Sequence, residues 1–334
     1  MFSIIIPCRI YNKNLDLTLK KIEDQLYQNY EVIVILDFED SNLKSDSKVK
    51  YIFSGIKTPG EKRNLGIEKS TGEFIAFLDD DAYPDSSWLE NSKNILVSNP
   101  EYIGVCGPSI TPYESSFLEE IGGFIYESFL TSGPTRYRHL PMHQRLVDDY
   151  PSVNLILRKD KLVEVGGFDT KYWPGEDTKL CLELTKKFGT KILYSPNIVV
   201  YHFRRGVFHP HLIQLSRYAS HRGYFAKIFP ETSLKLSYFI PSIFLIYLVL
   251  TPLIFRFFGN VLLLIPLIIY GFFLIVETFS IYLKSKSVAK AILSSLGILF
   301  SNLTYGLFFI KGLFSKPNLI LREVDIINEK YIKG

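Results

Sequence analysis

The sequence predicts an α/β domain with a mainly parallel sheet flanked by helices, followed by a C-terminal bundle of three transmembrane helices. Up to Leu234, short apolar runs alternate with segments of helical spacing. The clearest apolar runs are Phe2–Pro7, residues 31–37 and residues 73–78. Continuous apolar strands separated by helices are typical of parallel sheets covered on both faces.

Three uncharged runs, each of about 20 residues, follow Leu234. A helix of that length spans roughly 30 Å, the hydrocarbon thickness of a bilayer. The second run continues to Leu283 with Glu277 as its only charge. The predicted transmembrane helices are therefore 236–255, 257–283 and 291–310.

Lysines between the second and third runs predict the orientation in the membrane. Lys284, Lys286 and Lys290 place that loop in the cytoplasm by the positive-inside rule. The N-terminus lacks the basic region and long apolar stretch of a signal peptide. We expect an integral membrane protein with its N-terminal domain on the cytoplasmic side and a tail, 315–334, on the other side. The tail carries basic residues, which the positive-inside rule expects on the cytoplasmic side and not on the opposite side. They are Lys316, Arg322, Lys330 and Lys333.

The composition argues against a nucleic-acid partner and against structural disulfides. The net charge is +4 and charged residues make up 22% of the chain, so no strong field marks a nucleic-acid binder. The three cysteines are odd in number and far apart, which predicts buried, reduced thiols.

Three adjacent acids, Asp79, Asp80 and Asp81, follow the strand at residues 73–78. Adjacent carboxylates repel one another, and a divalent cation such as Mg²⁺ or Mn²⁺ would relieve that repulsion. The alternative is a solvated acidic turn that caps the next helix. Because Asp37 ends another strand, and ligands bind at the carboxyl ends of such strands, the ligand site is favoured.

Two further charged segments are candidates for chemistry. Arg63, just before that strand, would lie at the mouth of the sheet, where a guanidinium can pair with phosphate or with the acids. Glu176 and Asp177 follow two glycines and start a helix, where the helix dipole stabilises acidic side chains. An ionised Asp177 could instead accept a proton from an attacking hydroxyl.

The ordered set of motifs over residues 1–205 resembles the family 2 glycosyltransferases, which have a GT-A fold. The matching motifs are KRNLG, EFIAFLDDD, PDSSWL, SVNLILRKD, VGGFD, GEDTKL and VYHFRR. The resemblance implies a nucleotide-diphosphate-sugar donor, with a UDP-, GDP- or dTDP-sugar equally open, and Mn²⁺ or Mg²⁺ as cofactor.

The resemblance also implies a role for each matching residue. Asp81 is the expected metal ligand, with Asp79 and His202 beside it, and Asp177 is the expected catalytic base. Donor-binding residues are expected at Pro7, Arg9, Asp37, Arg63, Asp79 and Asp80. Acceptor-binding residues are expected at Asn154, Trp173, Glu176 and Arg217.

Arg217 belongs to a QLSRY sequence that is similar to the QxxRW motif of processive membrane synthases in this family. Tyr218 stands where those synthases have tryptophan, which argues against processive polymerisation. The basic and aromatic residues around it predict an amphipathic membrane-interface segment at 209–233. The predicted catalytic domain is 1–208, and the membrane helices fall within 234–314.

Together these features predict inverting, metal-dependent transfer of a sugar to a hydroxyl of a lipid-linked glycan at the membrane. Three alternatives stay open: a polyprenyl-phosphate glycosyltransferase, a processive polysaccharide synthase, and a catalytically silent membrane scaffold. The presence of Asp79, Asp81 and Asp177 argues against the scaffold, and a base at Asp177 is unnecessary for a phosphate acceptor.

Overall fold

A computed structural model of the chain describes residues 1–315, apart from the side chain of Phe258. The predicted tail, 315–334, lies outside the described residues except for Ser315. The chain forms two compact units. The first contains Met1–Ile110 and Leu140–His202, and the second contains Thr111–His139 and Phe203–Ser315.

The first unit is built on two sheets. Its strands are β1 (Phe2–Pro7), β2 (Tyr30–Leu36), β3 (Val49–Phe53), β4 (Phe74–Phe77), β5 (Ala82–Pro84), β6 (Gly104–Cys106), β7 (Ser109–Ile110), β8 (Arg145–Val147), β9 (Leu155–Arg158), β10 (Ile192–Tyr194) and β11 (Val200–His202). The larger sheet has the order β3-β2-β1-β4-β9-β6-β10-β8, and the smaller has the order β5-β11-β7. In the larger sheet only β8 and β9 run against the other strands, which confirms the mainly parallel sheet.

Helices flank the larger sheet in the first unit and make up most of the second. In chain order they are α1 (Lys13–Glu23), α2 (Pro59–Lys69), α3 (Trp88–Ser98), α4 (Phe117–Glu127), α5 (Phe129–Ser132), α6 (Lys159–Glu164), α7 (Glu176–Phe188), α8 (His209–Ile228), α9 (Pro230–Ser233), α10 (Leu236–Phe258), α11 (Ile265–Ser285) and α12 (Val288–Phe314). Short 3₁₀ turns lie at Gly133–Arg138, Ser152–Asn154 and Val261–Leu264. Cys8, Cys106 and Cys181 are free and buried, as predicted.

The start of α2 is fixed by local hydrogen bonds that its sequence encodes. Thr58 and Glu61 form a capping box, in which Glu61 N–H donates to Thr58 Oγ1 (3.3 Å) and Thr58 N–H donates to Glu61 Oε2 (2.8 Å). Pro59 occupies the first helical turn, where its missing N–H costs nothing. This cap holds Lys62 and Arg63 in the first turns of a helix whose buried face includes both.

The boundary of the first unit differs from the predicted domain 1–208, because Thr111–His139 groups with the C-terminal helices. Ile121 and Ile125 of α4 share an apolar cluster with Ile281, Ala291 and Ile298. Ion pairs reinforce the packing, and they join Lys284 to Glu127 and Lys290 to Glu120. Nothing in the α4 sequence alone identifies partners more than 150 residues away in the chain.

Three helices of the second unit are long and apolar enough to cross a membrane by length and composition. Their bounds differ from the predicted runs. Gly259, with a left-handed φ of 58°, ends α10, so Phe257 belongs to α10 and not to the second helix. The third helix, Val288–Phe314, extends beyond the predicted 291–310 at both ends.

The segment predicted as an amphipathic interface, 209–233, also differs from the expectation. It forms α8 and α9, and in α8 every residue from His221 to Ala226 is buried. Six consecutive buried residues cover all faces of a helix, so this part of α8 is packed on every side.

Glu31 is a buried acid at the opposite end of the larger sheet from Asp37. Its carboxylate accepts hydrogen bonds from Ser3 Oγ (2.7 Å), from Thr71 N–H (2.6 Å) and from Lys50 Nζ (2.6 Å). Burial alone would raise the pKa of Glu31, but the hydrogen bonds from Lys50, Ser3 and Thr71 outweigh it and lower the pKa to about 2. The charged form of Glu31 therefore stabilises the fold.

We predict that Glu31→Gln lowers the free energy of unfolding at pH 7 by about 1–3 kcal/mol, the usual cost of disrupting buried charge-assisted hydrogen bonds. Because the folded-state pKa is depressed, this contribution is present above the unfolded pKa and disappears as the pH falls from about 5 towards 2. Urea unfolding of the detergent-solubilised chain at several pH values measures it. The exposed Glu101→Gln is the control, and an equal effect of both variants would contradict the account.

Candidate functional site

The candidate site lies at the carboxyl ends of three adjacent parallel strands. β1 pairs with both β2 and β4, so the residues that follow these strands meet at one edge of the sheet. Asp37 follows β2, and Asp79, Asp80 and Asp81 follow β4. The predicted placement of these acids at the strand ends is confirmed.

Asp37 is buried and paired with a lysine. The Nζ of Lys62 contacts Asp37 Oδ1 and also donates to the carbonyl of Cys8 (2.6 Å). Arg9 approaches the other oxygen, with its Nε 3.8 Å from Asp37 Oδ2. Lys62 therefore joins α2 to the ends of β1 and β2, and Pro7 is the last residue of β1.

Asp79, Asp81 and His202 form a cluster that could hold a metal ion. One ligand atom from each lies within 4.8 Å of the others, and all three side chains are partly exposed. The antiparallel pairing of β11 with β5 places His202 opposite Ala82, which brings His202 Nε2 to 3.1 Å from Asp81 Oδ1. The carboxylates suit Mn²⁺ or Mg²⁺, and the partial exposure of all three side chains leaves room for further oxygen ligands.

Asp80 makes different contacts from its neighbours Asp79 and Asp81. Its Oδ2 accepts from Cys8 Sγ (3.0 Å) and from Asn12 Nδ2 (3.0 Å). Burial, and then the charge of Asp81, raise the pKa of Asp80. The resemblance implied donor binding by Asp80, but these contacts make it a link between the acidic loop and the start of α1.

Arg63 is the centre of the site. Its Nη2 donates to Asp79 Oδ1 (2.9 Å), and its Nη1 donates to Glu176 Oε1 (3.1 Å) and lies 3.8 Å from Asp177 Oδ1. The guanidinium carbon lies 5.5 Å from the centroid of the Phe168 ring. Arg63 is only 4% exposed. It pairs with the acids of the site, whereas the resemblance implied that it would lie beside the nucleotide.

Glu176 and Asp177 start α7 and share the charge of Arg63. Burial and then repulsion from Asp177 raise the pKa of Glu176, against the attraction of Arg63. Burial also raises the pKa of Asp177, while Arg63 and the N–H of Ser152, which donates to Asp177 Oδ2 (3.1 Å), oppose the rise. A partly exposed carboxylate with a raised pKa is suited to accept a proton near neutral pH.

Two of the residues expected to bind the acceptor are buried. Asn154 is fully buried; its Oδ1 accepts from Trp88 Nε1 (2.9 Å), and its Nδ2 donates to the carbonyls of Gly107 (2.6 Å) and Ile198 (2.8 Å). Glu176 is 5% exposed and directed at Arg63. Of the other two, Trp173 is half-buried in the first unit, and Arg217 is half-buried on α8 in the second.

Two residues that the sequence did not single out help to build the site. Lys62 pairs with Asp37, and Asn64 fixes the turn before Asp169 by donating to the carbonyl of Phe168 (2.8 Å) and accepting from its N–H (2.8 Å). A signal was available for Lys62, because Lys62 and Gly66 lie one helical turn apart on α2 and both are buried. A charge that shares a helical face with glycine is consistent with a buried polar site.

Comparison with known proteins finds similarity mainly in the first part of the chain. The family described as Glycosyl transferase family 2 matches residues 3–162. A glucosyl-dolichyl phosphate glucuronosyltransferase of Haloferax volcanii is 22% identical over 216 residues, which cover 59% of this chain and 68% of the relative. A pre-mycofactocin glycosyltransferase of Mycobacterium tuberculosis is 30% identical over 154 residues, or 45% of this chain and 31% of the relative.

Two further proteins are similar to this chain. The GalNAc(5)-diNAcBac-PP-undecaprenol beta-1,3-glucosyltransferase of Campylobacter jejuni is 27% identical over 133 residues, or 36% of this chain and 42% of the relative. The crystal structure of Staphylococcus aureus TarS 1–349 in complex with UDP-GlcNAc is 16% identical, with a TM-score of 0.45 and 66% of each chain covered.

We predict that Asp81→Asn abolishes Mn²⁺ binding, because it removes a charged ligand atom from the cluster with Asp79 and His202. The apparent Kd for Mn²⁺, from electron paramagnetic resonance or calorimetry, should rise by more than about 100-fold, since even changes beyond the direct ligands cost 10–100-fold. Chelation should stop sugar transfer reversibly.

Asp80→Asn is the matched control, because Asp80 is the next residue in the chain and is held by Cys8 and Asn12. It should bind Mn²⁺ as the unmodified chain does. Equal Mn²⁺ affinity of the Asp81→Asn variant and the unmodified chain would rule out this metal site.

Proposed function

The chain is a family 2 glycosyltransferase, and we propose that it transfers a sugar, with inversion, from a nucleotide-diphosphate sugar to a hydroxyl of a lipid-linked glycan at the membrane. One observation carries this proposal: buried Arg63 joins the metal-competent acid Asp79 to Asp177, the partly exposed acid that starts α7. A donor-binding group and a proton acceptor are thereby held in one rigid cluster.

The donor would lie along the strand ends of the first unit. Asp37, with Pro7 and Arg9 beside it, would contact the nucleoside, and Asp79, Asp81 and His202 would hold a divalent cation. When bound, that cation would neutralise charge on the departing diphosphate. The proposal leaves the sugar and the base of the nucleotide open.

Asp177 would act as the general base. Its carboxylate would take the proton of the acceptor hydroxyl as the oxygen attacks the anomeric carbon from the face opposite the diphosphate. The new glycosidic bond forms as the bond to the diphosphate breaks, so the anomeric configuration inverts. Arg63 and the N–H of Ser152 hold Asp177 in place, and the raised pKa of its carboxyl favours proton uptake.

A lipid-linked acceptor is supported by the apolar helices and by the relatives. The second unit carries three helices long and apolar enough to cross a membrane, which suggests membrane anchoring. The names of the Haloferax and Campylobacter relatives specify dolichyl phosphate and undecaprenol diphosphate carriers. Arg217 would meet the phosphate of such a carrier, whereas Arg222, 6% exposed and stacked over Tyr238 (5.0 Å), serves the packing of the second unit.

A polyprenyl-phosphate acceptor is the second candidate, because the same relatives and helices suit it equally. The geometry favours a hydroxyl acceptor, since a phosphate is already anionic and needs no base. A screen of UDP-, GDP- and dTDP-sugars, with polyprenyl phosphate and a polyprenyl-linked sugar as acceptors, separates the two candidates.

We predict that a lipid-linked sugar is a better acceptor than the same sugar without its lipid, by at least about tenfold in kcat/KM for the full chain in nanodiscs. Each buried CH₂ of a lipid contributes about 0.8 kcal/mol, and 1.4 kcal/mol is tenfold, so a partitioning acceptor gains at least this much. Arg217→Gln should lower kcat/KM for the lipid-linked acceptor only.

Arg256→Gln is the matched control, because Arg256 is an exposed arginine of the same unit at the end of α10. Equal kcat/KM for the two acceptors, together with no effect of Arg217→Gln, would show that the helices serve only as an anchor.

A further inference from the structure

The exposed apolar surface of the second unit extends beyond its three long helices to the α4–α5 segment (117–132). Phe117 and Leu118 start α4 and are 44% and 46% exposed, and Phe129 starts α5 and is 58% exposed. The same segment carries three acids, which are Glu119, Glu120 and Glu127. Its composition therefore does not identify it as a membrane segment, and its contacts have to show what it lies against.

The start of α5 is bonded to a carboxylate inside the apolar helix α11. Phe129 N–H donates to Glu277 Oε1 (2.9 Å). Glu277 is the only charged residue between Phe257 and Leu283. A carboxylate and a backbone N–H both need a hydrogen-bond partner where water is scarce, and here each supplies the other. This bond fixes the position of Phe129 along α11.

Coverage of one face of α11 ends at this bond. Phe273, Glu277 and Ile281 lie on the same face, because they are spaced by four residues. Ile281 is 4% exposed and packs against α4 in one apolar cluster. One turn earlier Glu277 meets α5, and a further turn earlier Phe273 is 49% exposed. Phe129 thus lies at the border between the covered part of this face and a part whose apolar side chains are exposed.

Two ion pairs mark the level of the lipid headgroups relative to this border. Lys284 and Lys290 each pair with an acid of α4, Lys284 at 3.0 Å. Both lysines flank the turn between α11 and α12, and charged groups at the ends of apolar helices lie in the headgroup region. From Lys284 to Glu277, α11 advances about 10 Å. Interfacial helices bury their apolar side chains about 5–10 Å into the boundary between headgroups and acyl chains, a depth that Phe129 can reach.

We infer that the α4–α5 segment is a membrane contact in its own right, and that its partner is the boundary between lipid headgroups and acyl chains. Phe129 enters the acyl region beside α11, and Phe117 and Leu118 meet the same boundary at the start of α4. This inference rests on the membrane anchoring of the proposed function, but not on the reaction. The chain then meets the bilayer twice, first between β7 and β8 and again from α10 onward.

Spin-label accessibility in nanodiscs tests the contact at Phe129. The full-length variant Phe129→Cys is labelled with a nitroxide; the native cysteines are buried, so the unmodified chain sets the background. Oxygen concentrates among acyl chains and a nickel chelate stays in water, so their relative effects on the electron paramagnetic resonance signal distinguish lipid from water. Phe279→Cys, at an exposed apolar position of α11, is the lipid reference, and the exposed Glu101→Cys of the first unit is the water reference. Size-exclusion chromatography verifies folding.

We expect the label at position 129 to resemble the one at position 279, with oxygen severalfold more effective than the chelate, and the label at position 101 to show the reverse. A water-like label at position 129 beside a lipid-like label at position 279 would overturn the inference and leave the anchoring intact. Protection of position 129 from both reagents would show that protein, such as a second copy of the chain, covers it, which also overturns the inference. Water-like labels at both positions would refute the anchoring and the inference with it.

A milder change tests the same contact if the label perturbs the fold. Phe129→Trp keeps an aromatic ring, and the two native tryptophans, Trp88 and Trp173, lie in the first unit. Phospholipids with brominated acyl chains quench the fluorescence of tryptophan that touches those chains. We expect them to remove a larger share of the fluorescence from Phe129→Trp than from the unmodified chain. An equal share in both proteins would contradict the contact.

Discussion

The buried guanidinium of Arg63 is the contact on which the candidate site depends. It bonds to Asp79 after β4 and to Glu176 at the start of α7, and it lies near Asp177. Removing one partner of a buried ion pair typically costs about 3–5 kcal/mol, because the remaining charge stays desolvated. One cation faces three carboxyl groups here, so a divalent ion beside Asp79 would favour the ionised forms of Glu176 and Asp177. Metal binding and the protonation of Asp177 are therefore electrostatically linked.

The positions of the acids could be predicted from the sequence, but their contacts could not. Asp37 and Asp79 each end an apolar strand, and parallel strands bring their carboxyl ends together, so one edge of the sheet was the only place for them. The direction of a side chain depends on packing that spacing does not encode. Asp80 lies between two metal-competent residues and yet bonds to Cys8 and Asn12. Asn154 matches an acceptor motif, and is instead enclosed by carbonyls and Trp88.

In the second unit too, the helices could be predicted from the sequence, but their contacts could not. Composition and length identified three apolar helices, because hydropathy depends only on residue type. What covers each helix depends on residues far away in the chain. The ion pairs of Glu120 and Glu127 draw α4 to the C-terminal helices, and Gly223 and Gly312 let α8 approach α12. A helix that is apolar enough to span a membrane can thus be packed by helices from distant parts of the chain.

The central claim is that Asp177 is the base of an inverting transfer and that Arg63 holds it beside the metal site. The most direct measurement compares donor binding and turnover for Asp177→Asn, which keeps the shape of the side chain and removes its basicity. The account predicts that calorimetric affinity for the donor with Mn²⁺ stays within a few-fold, while kcat falls by about 10²–10⁴-fold, the usual contribution of a positioned base. An unchanged kcat would contradict the account and would indicate an acceptor that is already ionised.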